Sequence, residues 1–255
     1  MRRIRVIGIG AGHPDQVTVE AIEALRSVDY FITADKGGTA KDGSGEDPLL
    51  AAREALLARH LDVVPPVIAV RDPARDREPA DYDQAVVDWH DARAEVYEKV
   101  LLENDGDVGF LVWGDPAFYD STIRIVEKVL ARGTVEAEWD VIPGISSLQL
   151  LAARHRIVLH DVGQPILVTT GRRLQEAKED GAENILVMLN STIDLEGFET
   201  WDIWWGANLG TKDEALVSGR VIEVAVDVLT TRIAVKSRVG WIMDVYLLRK
   251  RPENS

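Results

Sequence analysis

Apolar and polar positions along the chain fall into two textures. From Ile4 to Ala153 short apolar runs alternate with amphipathic stretches. Ile4 to Ile9 is an apolar run that ends among Gly8, Gly10 and Gly12, the pattern of a buried strand entering a tight loop. Val19, Ile22 and Leu25 then recur at helical spacing within Thr18 to Val28. Tyr30 to Ala34 reads as a second strand, Asp35 to Asp47 as a glycine-rich surface loop, and Leu49 to Ala58 as a helix. Pro65 and Pro66 restrict Val63 to Val70 to an edge strand. Tyr82 to Leu102 gives a long helix whose stripe, Val86, Trp89, Val96 and Val100, is broken only by Arg93. A strand over Asp107 to Val112, a helix over Ser121 to Leu130, a strand over Val135 to Ile142 and a helix over Ile145 to Ala153 complete this part. Such alternation predicts a parallel sheet covered on both faces.

Beyond Arg154-His155-Arg156 the texture changes. Pro165 to Thr170, Ile185 to Asn190 and Ile203 to Asn208 read as separated strands. Ala215 to Val228, Arg232 to Lys236 and Trp241 to Leu248 follow with little room for helices. The expectation is an α/β chain of two domains, an N-terminal α/β domain over 1–147 and a C-terminal α+β domain with antiparallel pairs over 148–255.

Charge and composition narrow the chemistry. A formal net charge of −14 disfavours nucleic acid and anionic membrane surfaces as partners. The chain has no cysteine, which removes disulfides, thiolate metal sites and thiol nucleophiles. No apolar run reaches the length of a membrane span, and Met1 to Val6 leads directly into glycines, so a cytoplasmic protein is expected. The glycine loop fails the dinucleotide fingerprint in both registers, because His13 and Asp15 stand where the third glycine belongs. No phosphate-loop motif is present. The loop still follows a strand, at the end of the sheet where open α/β folds hold ligands.

Three loops together carry a resemblance. They are Gly8-Ile9-Gly10-Ala11-Gly12-His13-Pro14-Asp15, Trp113-Gly114-Asp115-Pro116-Ala117-Phe118-Tyr119-Asp120, and Ile142-Pro143-Gly144-Ile145-Ser146-Ser147. With Asn184 to Asn190 and with Ala207-Asn208-Leu209-Gly210 running to Glu214, this ordered set resembles the tetrapyrrole methylases. That resemblance implies two α/β domains with S-adenosylmethionine in the trough between them. It implies cofactor contacts at Pro14, Trp113, Gly114, Asp115, Phe118, Ser146, Ser147, Leu189 and Leu209. The family's late proline-containing contact has no counterpart near Arg232 to Lys236.

Asp35-Lys36-Gly37 with Lys41, and the Pro143-Gly144 loop, are similar to the branch of aerobic cobalamin biosynthesis that methylates precorrin-5 and releases acetate. Methyl transfer from a sulfonium is an in-line displacement governed by positioning and needs no metal. Acetate release calls for a general base; Asp15, Asp115, His13 and Glu214 stand in the right loops, Asp115 reads as a loop-shaping residue, and the leading candidates are Asp15 and His13. Each has a plain structural alternative, Asp15 as a helix cap and His13 as a solvated loop residue. A substrate rich in carboxylates calls for a local basic patch, for which Lys36, Arg172 and Arg173 are candidates, with Lys41, Arg154 and Arg156 behind them. Trp201, Trp204 and Trp205 suit either the core or a flat macrocycle, and their strand spacing favours the core. Relatives imply a homodimer. The alternatives are another precorrin methyltransferase, a diphthine synthase-like methylase, or a non-catalytic tetrapyrrole-binding protein.

Overall fold

The computed structural model describes residues 1–35, 48–73 and 82–251. The loop expected over Asp35 to Asp47, with Lys36 and Lys41, lies outside the described residues apart from Asp35 itself. The chain divides into two compact units, Met1–Ile145 and Ser146–Ser255.

Among its described residues the first unit carries five strands, β1 (Arg2–Gly8), β2 (Tyr30–Asp35), β3 (Val67–Arg71), β4 (Val108–Val112) and β5 (Ala137–Ile142). They form a parallel sheet in the order β3-β2-β4-β1-β5. Every residue of β4 is buried, as expected of a central strand covered on both faces. The helices are α1 (Val19–Arg26), α2 (Pro48–His60), α3 (Tyr82–Glu103) and α4 (Thr122–Ala131). Thr18 sets the start of α1, its hydroxyl accepting from the Ala21 N–H at 3.0 Å. Ahead of α4, whose N-cap Ser121 makes no side-chain cap bond, Asp120 accepts from the Thr122 N–H at 2.7 Å. Arg93 is buried: its Nε lies 2.7 Å from Asp72 Oδ1, and its terminal nitrogens donate to the Ser121 and Tyr97 hydroxyls. The polar break in the α3 stripe is therefore a paired cation, which is the condition under which a charge is buried.

The second unit holds α5 (Ser147–His155), β6 (Leu167–Thr170), α6 (Leu174–Glu179), β7 (Asn184–Met188), β8 (Asp202–Ala207), β9 (Ala215–Arg220), α7 (Val221–Val239) and β10 (Asp244–Arg249). Its sheet runs β6-β7-β10-β8-β9, with β6 parallel to β7 and the remaining pairs antiparallel. The stretch from Val221 to Val239, read as strands with little room for a helix, is a helix of 19 residues. Its valines and isoleucines favour strands intrinsically. However, Val221, Val228 and Val235 recur every seven residues on one buried face, and burial of that face overrides propensity. Gly240, at φ 81°, ends the helix in the left-handed region that glycine adopts freely. Trp201 and Trp205 are buried in the core of this unit, whereas the Arg249 guanidinium lies 5.3 Å from the centre of the half-buried Trp204 ring.

Tyr246 in β10 is wholly buried, and its hydroxyl has no hydrogen-bond partner among the described residues. Burial, reinforced by Asp244, pushes its pKa above the ordinary tyrosine range. A phenol desolvated without compensation contributes little, so Tyr246→Phe should shift stability by less than about 1 kcal/mol, in the stabilising direction. Urea unfolding of the two proteins checks this. A clear loss of stability in the variant would show that the hydroxyl has a partner.

Candidate functional site

In the first unit the strand order explains why loops distant in sequence meet. β1 lies between β4 and β5, and all three run the same way. Their carboxyl ends therefore deliver the 8–15, 113–120 and 142–145 segments to one edge of the sheet, the edge at which parallel sheets present ligand sites. Gly8 is in register with Val112, and Ile7 with Ile142.

Backbone contacts lock these segments together. Gly114 N–H donates to Gly10 C=O at 2.8 Å, and Gly10 N–H donates back to Gly114 C=O at 3.2 Å. Asp115 bridges two loops: Oδ2 accepts from Gly144 N–H at 2.9 Å, and Oδ1 accepts from Ala117 N–H at 2.8 Å. The Asp115 carboxylate thus holds the second loop against the third. A Cβ on Gly8 would lie 2.5 Å from Gly144 N and 2.9 Å from Pro116 Cδ, so glycine is required for the close approach. Trp113 packs partly buried against the cluster containing Ile7 and Leu111. Phe118 and Tyr119 are exposed, and Tyr119 holds a positive φ of 53°.

His13 caps the short turn Pro14–Gln16, its Nδ1 accepting from Asp15 N–H at 3.2 Å. Because Nδ1 accepts, Nε2 carries the ring proton in this arrangement. Asp15 is exposed, with Arg59 Nε 3.3 Å from Oδ1. The Pro14 carbonyl accepts from His60 Nε2 at 2.8 Å, which ties the first loop to α2. Thr18, not Asp15, caps α1.

In the second unit Ser146 is the N-cap of α5 in a capping box with Gln149, and it is buried. Its side chain is thereby occupied in holding the helix start, and Ser147 is the first helical residue. Leu189 follows β7 at φ 54° and is 60% exposed, whereas Leu209 follows β8 and is buried against Gly206. Between these strands β10 begins at Asp244. Asn208, itself at φ 48°, accepts from Met243 N–H at 2.9 Å through Oδ1. The Asn208 Nδ2 and Asn190 Oδ1 atoms are buried and have no hydrogen-bond partner among the described residues.

Arg232 on α7 supports this group, donating to Asp244 Oδ2 at 2.8 Å, to the Asn190 carbonyl at 2.9 Å and to the Ser191 carbonyl at 3.3 Å. Asn190 Nδ2 donates to the Asp244 carbonyl at 3.1 Å, and Trp205 Nε1 donates to Asp244 Oδ2 at 3.2 Å. The sequence reading missed this network. A lone arginine in a β-branched run was its only signal.

Four of the candidate basic residues are described. Arg154 is paired with Glu214 at 2.8 Å, Arg173 with Glu176, and Arg156 ends α5 at φ 56°. Arg172 lies in the short turn after β6. His155 is held neutral-favouring: burial lowers its pKa despite a 3.0 Å hydrogen bond to the Trp205 carbonyl. No helix among the described residues is long and apolar enough to cross a membrane.

Comparison with known proteins bears on these arrangements. The family of tetrapyrrole (corrin/porphyrin) methylases matches residues 3–225. The chain is 46% identical to precorrin-6A synthase (deacetylating) of a Sinorhizobium species, over 98% of this chain and 96% of that one. Among solved structures it is similar to a cobalamin-synthesis-related protein (CobF) of Corynebacterium diphtheriae, with 37% identity, a TM-score of 0.80 and coverage of 98% and 99% of the two chains. Uroporphyrin-III C-methyltransferase of Thermus thermophilus, solved with S-adenyl homocysteine, shares the fold at 17% identity and a TM-score of 0.61, covering 97% of this chain and 92% of that one.

Proposed function

Since the chain belongs to the tetrapyrrole methylases, we propose that it is an S-adenosylmethionine-dependent C-methyltransferase of cobalamin biosynthesis that converts precorrin-5 to precorrin-6A and releases acetate. The observation that carries this reading is the near full-length similarity to a deacetylating precorrin-6A synthase.

The residues suit a bound S-adenosylmethionine. In the first unit, three loops without bulky side chains at their junction present main-chain groups at the carboxyl ends of parallel strands. In the second, a buried amide donor on Asn208 and a buried acceptor on Asn190 lack partners among the described residues. A heterocycle with donor and acceptor edges is the chemistry such groups satisfy. Cofactor contacts are assigned to Pro14, Trp113, Gly114, Asp115 and Phe118 in the first unit, and to Ser146, Ser147, Leu189 and Leu209 in the second. The cofactor supplies an electrophilic methyl on sulfur, and the protein's task is alignment with the ring carbon. No metal is assigned a part. The reading places the enzyme in the cytoplasm, with no nucleic-acid or membrane partner.

Acetate release needs a water deprotonated near an acyl carbonyl. Of the two candidates, Asp15 is an exposed carboxylate with Arg59 Nε 3.3 Å from Oδ1, whereas His13 Nδ1 is occupied in accepting from the Asp15 N–H. We assign the base to Asp15 and a donor role to His13. Lys36, Arg172 and Arg173 remain the proposed substrate-carboxylate contacts.

The test is anaerobic incubation with precorrin-5 and labelled S-adenosylmethionine, with mass analysis of the corrinoid and an assay for acetate. One methyl gained with acetate released supports the assignment. Asp15→Asn should then suppress acetate release while leaving S-adenosylhomocysteine affinity within about twofold, since it loses a base and not a loop anchor. Cofactor binding without turnover of precorrin-5 would leave the family standing and remove the proposed substrate.

A further inference from the structure

The 113–120 segment is tied down at its start, where Gly114 pairs with Gly10 and Asp115 accepts from Ala117 and Gly144. The chain then passes through Phe118 and Tyr119, both exposed, before α4 begins. Tyr119 keeps a φ of 53°, which for a bulky residue is an outlier that fixed surroundings maintain. The far end of the segment therefore calls for an anchor of its own.

Arg93 provides one. Its guanidinium, buried on α3, donates to the Ser121 hydroxyl at 2.8 Å and to the Tyr97 hydroxyl at 2.7 Å. Its Nε lies 2.7 Å from Asp72 Oδ1, and its centre lies 4.7 Å from the middle of the Trp89 ring. A planar cation that is paired, stacked and buried has its donors aimed in fixed directions. Asp72 directly follows β3, so the contact reaches from the carboxyl end of one strand, through α3, to the end of the loop that follows another. Ser121 stands at the N-cap of α4 but makes no side-chain cap bond. The ordinary use of a serine there is absent, and its hydroxyl serves Arg93 instead. We propose that Arg93 is a positioning residue for the methyl transfer, holding the far end of the 113–120 segment through Ser121 so that Trp113 to Phe118 keep their places at the ligand edge. An in-line displacement depends on alignment, and a loop loose at one end forfeits it. The consequence for cofactor binding rests on the methyltransferase reading, whereas the anchor itself does not.

Replacing Arg93 would also strand Asp72, so the test removes the hydroxyl that Arg93 holds. Hydrogen exchange of the free full chain reads the anchor. In Ser121→Ala the amides of Phe118 and Thr122, bonded to the Asp115 carbonyl and the Asp120 carboxylate, should exchange roughly tenfold faster, the scale of one lost charge-assisted hydrogen bond, while those of β4 stay unchanged. Calorimetric titration should show S-adenosylhomocysteine binding weakened by roughly threefold to tenfold. Ser121→Thr keeps a hydroxyl and should restore both properties. Tyr97→Phe removes the other hydroxyl bound to the same guanidinium, one that belongs to α3 itself. It should lower the urea midpoint at least as much as Ser121→Ala, yet leave loop exchange and affinity at wild-type values. Unchanged exchange at Phe118 and Thr122 in Ser121→Ala overturns the proposal. So does faster exchange with unchanged affinity, or an equal loss of affinity in Tyr97→Phe. A wild type that fails to bind S-adenosylhomocysteine overturns the methyltransferase reading instead, and the exchange comparison still decides the anchor.

Discussion

Replacing Gly144 by alanine should pull apart the junction of the three loops, although the change adds one methyl group. A Cβ there would overlap the Gly114 carbonyl oxygen and approach within 2.8 Å of Gly8 C and 2.9 Å of Gly8 Cα. These neighbours are backbone at the ends of β4 and β1, and no side chain can swing aside to relieve them. The expected cost is about 2–3 kcal/mol of stability, the range for overpacking a site that cannot relax. The functional loss should be larger. Gly144 N–H is the donor that Asp115 holds, so displacing it loosens the second loop as well as the third. A shift of about 1 Å in groups that align a substrate can cost roughly a hundredfold in rate. Gly133→Ala is the control. Gly133 has a φ of 74° and nothing within 4 Å of an added Cβ, so it pays only conformational strain of about 1 kcal/mol and should keep full S-adenosylhomocysteine affinity. Urea unfolding and calorimetric titration of both variants separate the effects. Equal behaviour of the two would mean that the close approach at Gly144 is immaterial to binding.

The contrast between these glycines shows what a sequence can and cannot carry. That Gly8, Gly10, Gly114 and Gly144 mark turns after strands is legible from the apolar runs preceding them. That they touch one another depends on the strand order β3-β2-β4-β1-β5, which brings β4 and β5 to either side of β1, and hydrophobic periodicity contains no strand order. The resemblance supplied the grouping that periodicity could not. Asp115 was legible as a loop residue, yet its partner Gly144 lies 29 positions away and left no local trace. The helix α7 was misread for a different reason. Its β-branched residues point locally to strands, and only the buried face formed by Val221, Val228 and Val235 makes a helix the better solution. With α7 broken into strands, Arg232 could not be placed beside Asp244, and the support beneath Leu189 and Asn190 was invisible.

That support gives the second large effect. Asp244→Ala should destabilise the second unit by about 3–5 kcal/mol, because removing one partner of a buried ion pair strands the other. The Asp244 side chain is 2% exposed and that of Arg232 12%, so water cannot replace the lost carboxylate. Trp205 Nε1 loses its acceptor in the same step. Arg232→Met should cost a similar amount by leaving the carboxylate unpaired. The double variant Asp244→Leu with Arg232→Met should recover much of the stability, since an apolar pair of similar volume carries no desolvation penalty. Stability and function then part company. Arg232 also donates to the carbonyls of Asn190 and Ser191, holding the segment in which Leu189 keeps a φ of 54°. A β-branched or bulky residue in that region is an outlier maintained by its surroundings, and here the next two residues are anchored by Arg232. Methionine offers no donors, so the double variant should unfold at a urea midpoint well above either single variant, short of the wild type because Trp205 Nε1 stays without its acceptor, and still bind S-adenosylhomocysteine roughly tenfold or more weakly, a loss of about 1.4 kcal/mol. Recovery of both properties together would show that the network serves the core alone and that the Leu189 segment needs no anchor from α7.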